Sequence, residues 1–408
     1  MRWRQRGCAA CLSLSVRQKS PTHTPMSYPS VDALQRTLSD TVFAHTADRK
    51  KAAGRALGTL VEIVTYYLLR AWGFRNSIAI ERRLAEYNNS GITHNVEYSL
   101  HPILTSKSLR LTPPNLPISI AKLKKALPND LLGFSEDDFK ASIQMLTSDH
   151  ILRNSCTLAE SPSGILMSHL QAFSARSAEI EIDALHPQPW AIFECKRVGI
   201  EEGAKKGPQT IEKAKQGAYV ARTISSLQKI RLPDGRLGGL VYSGSGDPLI
   251  DEHTVLMERI ISSDSEKILQ QFTLSVGVVS NHGNWFTGDN LNKELEVLAA
   301  SYDWLIFLTD RGLTEFIQEL LLEPTPELAP ARAAFLTSYA EGKKKNRFTK
   351  VQMDLEADAV LQKYFSDHHD RIQGWFNVIS PVTENLTTLQ DQLSILRAKN
   401  WQSIHTDE

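Results

Sequence analysis

The chain has 408 residues, 41% hydrophobic and 23% charged, enough to bury one large core or two of middling size. Its 46 basic and 46 acidic residues cancel, which excludes an overall field that would draw the molecule to nucleic acid, so any such contact must come from local clusters. The cysteines (Cys8, Cys11, Cys156, Cys195) are too few for a disulfide scaffold, and no apolar run is long enough to span a membrane; a cytoplasmic setting is expected.

Residues 1–30 are Arg-rich, then Ser/Thr/Pro-rich, and read as a disordered leader, with Met26 a candidate start ahead of the patterned sequence from Val31. Leu57, Leu60, Val61, Val64 and Leu68 recur at helical spacing, which predicts a helix over Asp48–Trp72 closed by Gly73. Glu62 is its one acid between Leu57 and Trp72, and so apolar a helix needs a cation or a rim position for it. Residues 75–82 and 94–100 read as strands, which makes 31–103 a first segment of N-terminal helices and strands.

From 104 to 174 the chain is punctuated by proline and reads as an insertion. Helices are predicted over Ile118–Leu127 and Ser135–Leu152, followed by a two-stranded wing at Cys156–Ala159 and Ile165–Met167. This order is similar to a winged-helix module, in which Lys122, Lys124 and Lys125 are candidate DNA contacts; the alternative is an elaboration that only thickens the core.

Glu179–Lys196 carries the chemistry. Two apolar-rich runs flank His186-Pro-Gln-Pro189, which predicts an antiparallel hairpin with Leu185 facing Trp190 and Asp183 facing Ile192. Glu194 and Lys196 share a face, and this register brings Asp183 to it, so two carboxylates and an ammonium converge. Oxygen ligands of this kind suit magnesium, Mg2+, with the Cys195 carbonyl as a further donor and its thiol on the opposite face. An acid-x-base triplet occurs about five times by chance at this composition, so the weight lies on the context, a buried strand (Trp190–Phe193) that ends in charges. The competing reading is a salt bridge capping a sheet.

Asp183 and Glu194-Cys195-Lys196 in a strand-turn-strand setting resemble the PD-(D/E)xK nuclease superfamily, and the flanking sequence most resembles a type II restriction endonuclease over about residues 48–310. Ile182 stands where that family usually has proline. The resemblance implies an α/β fold in which helices flank a mixed β-sheet, Glu62 as a helix glutamate contributing to the metal site, and Asp183, Glu194 and Lys196 as catalytic residues. It also implies a double-stranded DNA substrate, a homodimer to cut both strands, and a cognate DNA methyltransferase as partner. A repair or recombination nuclease of the same fold is the nearest alternative, and a non-catalytic winged-helix DNA-binding protein the alternative outside the enzymes.

Residues 175–323 continue as an α/β core. A helix is predicted over Gln209–Lys229. The resemblance implies that it lies close to the substrate, which makes Lys213, Gln216 and Tyr219 candidate DNA contacts, with a solvated helix face the alternative. Apolar strands are predicted at Gly239–Tyr242, Phe272–Val279 and Trp304–Thr309. Helices separate them at Ile250–Gln270, Asn290–Ala300 and Leu313–Leu322. Pro324–Pro330 reads as a linker to a helical C-terminal region over 324–408, with helices at Ala331–Ala340, Asp354–Phe365 and Thr383–Ala398 and a basic run at Lys343–Lys350.

Overall fold

The Arg49–Ala71 helix starts where Asp48 accepts a hydrogen bond from the Lys51 N–H, and it stops before Gly73, whose φ of +86° suits glycine. This helix is the axis of a computed structural model that describes residues 31–127, 133–197, 209–242, 247–280, 293–340 and 346–404. The strands in chain order are β1 (Ile78–Glu86), β2 (Asn89–Leu100), β3 (Ile103–Leu111), β4 (Ile118–Ser119), β5 (Gln144–Leu146) and β6 (Ile151–Arg153). Then come β7 (Cys156–Ser161), β8 (Gly164–Phe173), β9 (Ala178–Leu185), β10 (Ala191–Arg197), β11 (Gln228–Arg231) and β12 (Leu237–Val241). Last are β13 (Leu249–Glu252), β14 (Leu274–Ser280), β15 (Trp304–Leu308), β16 (Gln352–Asp354) and β17 (Phe376–Ser380).

A mixed six-stranded sheet runs β1-β2-β10-β14-β15-β17, with β10, β14 and β15 parallel and the outer pairings antiparallel. Helices cover both faces. Phe193 and Cys195 of β10 join the core of the Arg49–Ala71 helix, and Ile192 joins the core formed with Ala218, Val220 and Ala221 of the Gln209–Thr223 helix. The expected α/β class with helices flanking a mixed sheet is what the chain forms. Among the described residues no helix is long and apolar enough to cross a membrane.

The predicted hairpin does not form. Leu185 pairs with Ile103 and Ile165, so β9 belongs to a separate antiparallel sheet, β3-β9-β8-β7, while β10 pairs with β2 and β14. The prolines of His186–Pro189 carry the chain from one sheet to the other. The His186 N–H donates to the Pro102 carbonyl at 2.9 Å and the Trp190 N–H to the Leu100 carbonyl at 2.9 Å, so the chain leaves and re-enters the central sheet at one place. Alternation shows which face a residue takes but not which strand lies beside it.

The insert is a β structure rather than a winged helix. Ile120–Ala126 is helical, but after a capped 3-10 turn at Glu136–Asp138 the predicted Ser135–Leu152 helix gives way to β5 and β6, with His150 at φ +58° in the turn between them. Two β-branched isoleucines and a Thr-Ser-Asp-His turn favour the strand pairing of Leu146 with Leu152 over a helix. The predicted wing exists as β7–β8, lengthened and built into the four-stranded sheet.

The C-terminal region is part of the same core. Pro326–Leu328 forms a 3-10 turn leading directly into the Ala329–Ser338 helix, with Leu328 fully buried, so no linker separates the two. Asp358 on the Leu355–Asp367 helix accepts from Arg70 at 2.5 and 3.2 Å and from the Tyr67 hydroxyl at 2.7 Å, fastening that helix to the central one. β17 completes the central sheet, and β16 joins β6 in a third sheet, β16-β6-β5-β4. A small sheet, β11-β12-β13, takes the predicted Gly239–Tyr242 strand and the first residues of the predicted Ile250–Gln270 helix.

Candidate active site

Glu194 stands where β10 emerges from the core, and its neighbour is on β2. The pairings Ile192–Ser99 and Phe193–Tyr98, extended by one residue, set Glu194 beside Glu97, and the Glu97 N–H donates to Glu194 Oε1 at 3.1 Å. Lys196 Nζ lies 3.3 Å from Glu194 Oε2. The Tyr98 hydroxyl donates to the Glu62 carbonyl at 2.8 Å, which holds the central helix against this end of β2. On β1, Glu81 falls between the pairs Ile80–Tyr98 and Arg82–Val96 and adopts φ +55°, an unfavourable backbone for a residue with a Cβ. Its carboxylate turns toward the same place.

That place is held by Lys350. Its Nζ is 3.5 Å from Glu62 Oε2 and 3.3 Å from Glu81 Oε1, and it forms a closer ion pair with Glu97 Oε1. Asn154, in the turn after β6, donates through its side chain to the Lys350 carbonyl at 3.1 Å, and its N–H donates to the Val351 carbonyl at 2.9 Å. The insert and the C-terminal region therefore jointly position this lysine. Burial pushes the Glu194 carboxyl above its ordinary pKa, opposed by Lys196, and burial likewise raises Glu62, opposed by Lys350. Carboxyl groups held this way gain from any further cation.

The donor set fits a hard divalent ion, since Glu97 and Glu194 present carboxylate oxygens on adjacent strands. Among the described residues no trio of His, Cys, Asp or Glu forms a ready cage, because Lys350 stands between Glu62, Glu81 and Glu97. The Cys195 thiol is buried against the Arg49–Ala71 helix and raised by burial, so of this residue the carbonyl, not the thiol, could serve an ion.

Two hollows meet at Glu194 and Lys196. One, about 750 Å³, is walled by Arg82, Arg83, Lys140 and Lys350 with Glu81 and Glu97 among its lining. The other, about 790 Å³, is lined by His94, Lys215, Gln216 and Tyr219, and Asn95 borders both. Glu160 lines the first hollow as well and pairs with Arg82 and with Lys140, each at 2.8 Å, so the basic groups of that wall are in part neutralised in place, while Arg83 and Lys196 add positive charge beside the acidic junction. Gly217 allows the Gln209–Thr223 helix to lie against β10, since a Cβ there would be 2.7 Å from Tyr302 Oη and 3.5 Å from Glu194 Oε2.

Of the residues expected from sequence, Glu62, Glu194, Lys196, Gln216 and Tyr219 are brought to this junction. Lys213 lies on the Gln209–Thr223 helix, but its side chain is outside the described residues. Lys122 donates to the Asn115 and Pro117 carbonyls at 2.9 and 2.8 Å, and Lys124 pairs with Glu136 and lies 4.5 Å over the Phe139 ring. Both are taken up within the insert, and neither they nor Lys125 line the two hollows.

Asp183 is elsewhere, as the failed hairpin requires. It is fully buried on β9, where Ser106 donates to Oδ1 and His169 Nε2 lies 3.8 Å from Oδ2. Burial raises its pKa to about 6 and lowers that of His169 to about 3, so the imidazole stays neutral and supplies no countercharge. The folded state thus holds the Asp183 proton more tightly than the unfolded state does. Its stabilising effect is present below about pH 4 and is lost as pH rises through about 6, by up to about 3 kcal/mol. Comparing wild type with Asp183→Asn in urea melts at pH 4.5 and 7.5, we expect the variant to gain stability relative to wild type at the higher pH. Equal differences at both pH values would contradict this.

No protein-family model, curated protein or solved structure matches the chain. Sequence reasoning missed Glu97, Glu81 and Lys350. Glu97 had a readable signal, a lone acid in Val96-Glu-Tyr-Ser-Leu100 on the hairpin that follows the Glu62 helix. Lys350 had none beyond membership of a basic run.

Proposed function

We propose that the protein is a magnesium-dependent endonuclease of the PD-(D/E)xK type acting on double-stranded DNA, with Glu97 in the role first expected of Asp183. The observation that carries this reading is the convergence of Glu97, Glu194 and Lys196 on adjacent strands beside the Glu62 helix, at the meeting of two polar hollows. The order of elements also supports it: a glutamate-bearing helix, an antiparallel β1–β2 hairpin, β10 with its Glu-x-Lys, a helix, and parallel β14.

Glu97 and Glu194, with the Cys195 carbonyl, would hold the magnesium ion, and Glu62 would support it. When bound, that ion supplies charge relief on the phosphate and a more acidic water. Lys196, one residue beyond that carbonyl, orients the attacking water and offsets negative charge developing on the phosphate. Arg83 would meet the backbone, joined by Arg82 and Lys140 once a phosphate replaces Glu160 as their partner, and Gln216 and Tyr219 border the strand on the other side. The winged-helix binder loses its support, because the helix that would enter a groove is β5 and β6. Cutting both strands at one target would call for a homodimer, and a type II restriction role would call for a cognate methyltransferase.

The test is digestion of a long, sequence-diverse, unmethylated DNA by the purified protein with magnesium. Discrete fragments that vanish with a chelator are expected. DNA bound but never cut would overturn the enzymatic reading.

A further inference from the structure

We propose that Lys350 is a resident cation occupying the place of a second divalent ion, so that each site takes one metal ion and not two. This rests on the nuclease reading above. Four carboxylates, Glu62, Glu81, Glu97 and Glu194, share two ammonium groups, Lys196 and Lys350. With all four ionised the cluster carries two uncompensated negative charges, which a single divalent ion neutralises. A second ion would leave an excess of positive charge and would have to displace Lys350 from its three partners.

The position of Lys350 is built. Its side chain is only 10% exposed, its carbonyl is held by the buried Asn154 side chain, and the next residue accepts from the Asn154 N–H, while β16 immediately afterwards pairs with β6. Glu81 accepts an unfavourable φ of +55° to face it. Three carboxylates from a helix and two strands around one cation form the arrangement that a hard ion would otherwise need, and an ammonium fixed there repels an incoming divalent charge. The place between Glu97 and Glu194, beside Lys196, is left for the ion that serves the reaction.

The experiment counts Mn2+ on the full chain without DNA, by calorimetry and by the electron paramagnetic resonance of free and bound Mn2+. One ion per chain is expected for wild type and for Lys350→Arg, and two for Lys350→Gln, which keeps a polar side chain but removes the charge. Two ions in the wild type overturn the assignment whether or not the variant folds, and one ion in both wild type and a folded Lys350→Gln also overturns it. Wild type that takes up no Mn2+ would overturn the metal-dependent nuclease reading and the role of Lys350 with it. The first two outcomes would leave that reading standing.

Discussion

Replacing Glu97 by Gln is expected to reduce DNA cleavage by roughly 10²- to 10³-fold, the range seen when one group that organises charge at a reacting centre is removed, because it takes a carboxylate from the ion that would serve the phosphate. Asp183→Asn should leave the rate within about twofold of wild type. The contrast is sharp because both residues are buried carboxylates, and Asp183 is the one whose sequence setting resembles the catalytic aspartate. Glu97 touches Glu194 through its own N–H and Lys350 through its carboxylate, whereas the Asp183 carboxylate meets Ser106 and His169 in another sheet. Glutamine at 97 keeps the side-chain volume and leaves the backbone N–H to Glu194 in place, so lost activity with an intact melting transition would report the charge and not the fold. Single-turnover cleavage under saturating protein is the measurement. An inactive, folded Asp183→Asn beside an active Glu97→Gln would return the site to β9 and sink the present assignment.

Much of the site was legible because its main signal is local. Glu194 and Lys196 share a face of β10 by simple alternation, and Glu62 stands out in its apolar helix, which the Tyr98 hydroxyl ties to β2 beside them. The Gln209–Thr223 helix, which borders the second hollow with Gln216 and Tyr219, was likewise readable from its spacing. Strand partnership was not legible. A whole insert of β3 to β9 interrupts the central sheet between β2 and β10, and the ends of that insert lie side by side at Ile103 and Leu185. Neighbours such as β2 and β10 are therefore distant in sequence, and Asp183, eleven residues before Glu194, lies in another sheet.

The same physics explains the C-terminal region. Pro324 and Pro330 punctuate the sequence as a linker would, yet Leu328, Ala331 and Phe335 are buried in the core of the Arg49–Ala71 helix, and the Arg70–Asp358 pair is buried with them. Proline restrains the local backbone but carries no information about what the next helix packs against. Lys350 depends on this packing, since Asn154 and the β6–β16 pairing hold its backbone. A cation recruited through such long-range contacts leaves no periodic trace in its own segment.

Lys196→Ala should abolish cleavage while sparing DNA binding. The Lys196 side chain is 31% exposed at the junction of the two hollows, with Nζ 3.3 Å from Glu194 Oε2, so it can reach both the ion-holding carboxylate and a phosphate in the groove. Losing a group that positions water and offsets transition-state charge costs roughly 10²- to 10⁴-fold in rate. Losing one ammonium among several along a groove costs binding far less, lowering the salt slope by about one phosphate contact. Lys350 does not substitute, being committed to Glu62, Glu81 and Glu97. Lys196→Arg keeps the charge but replaces a compact ammonium with a planar fork, so its rate should fall between wild type and Lys196→Ala. Binding measured with Ca2+ and cleavage measured with Mg2+ on the same DNA separate the two effects, and cleavage by Lys196→Ala at the wild-type rate would remove Lys196 from the chemistry and leave it an ion pair capping β10.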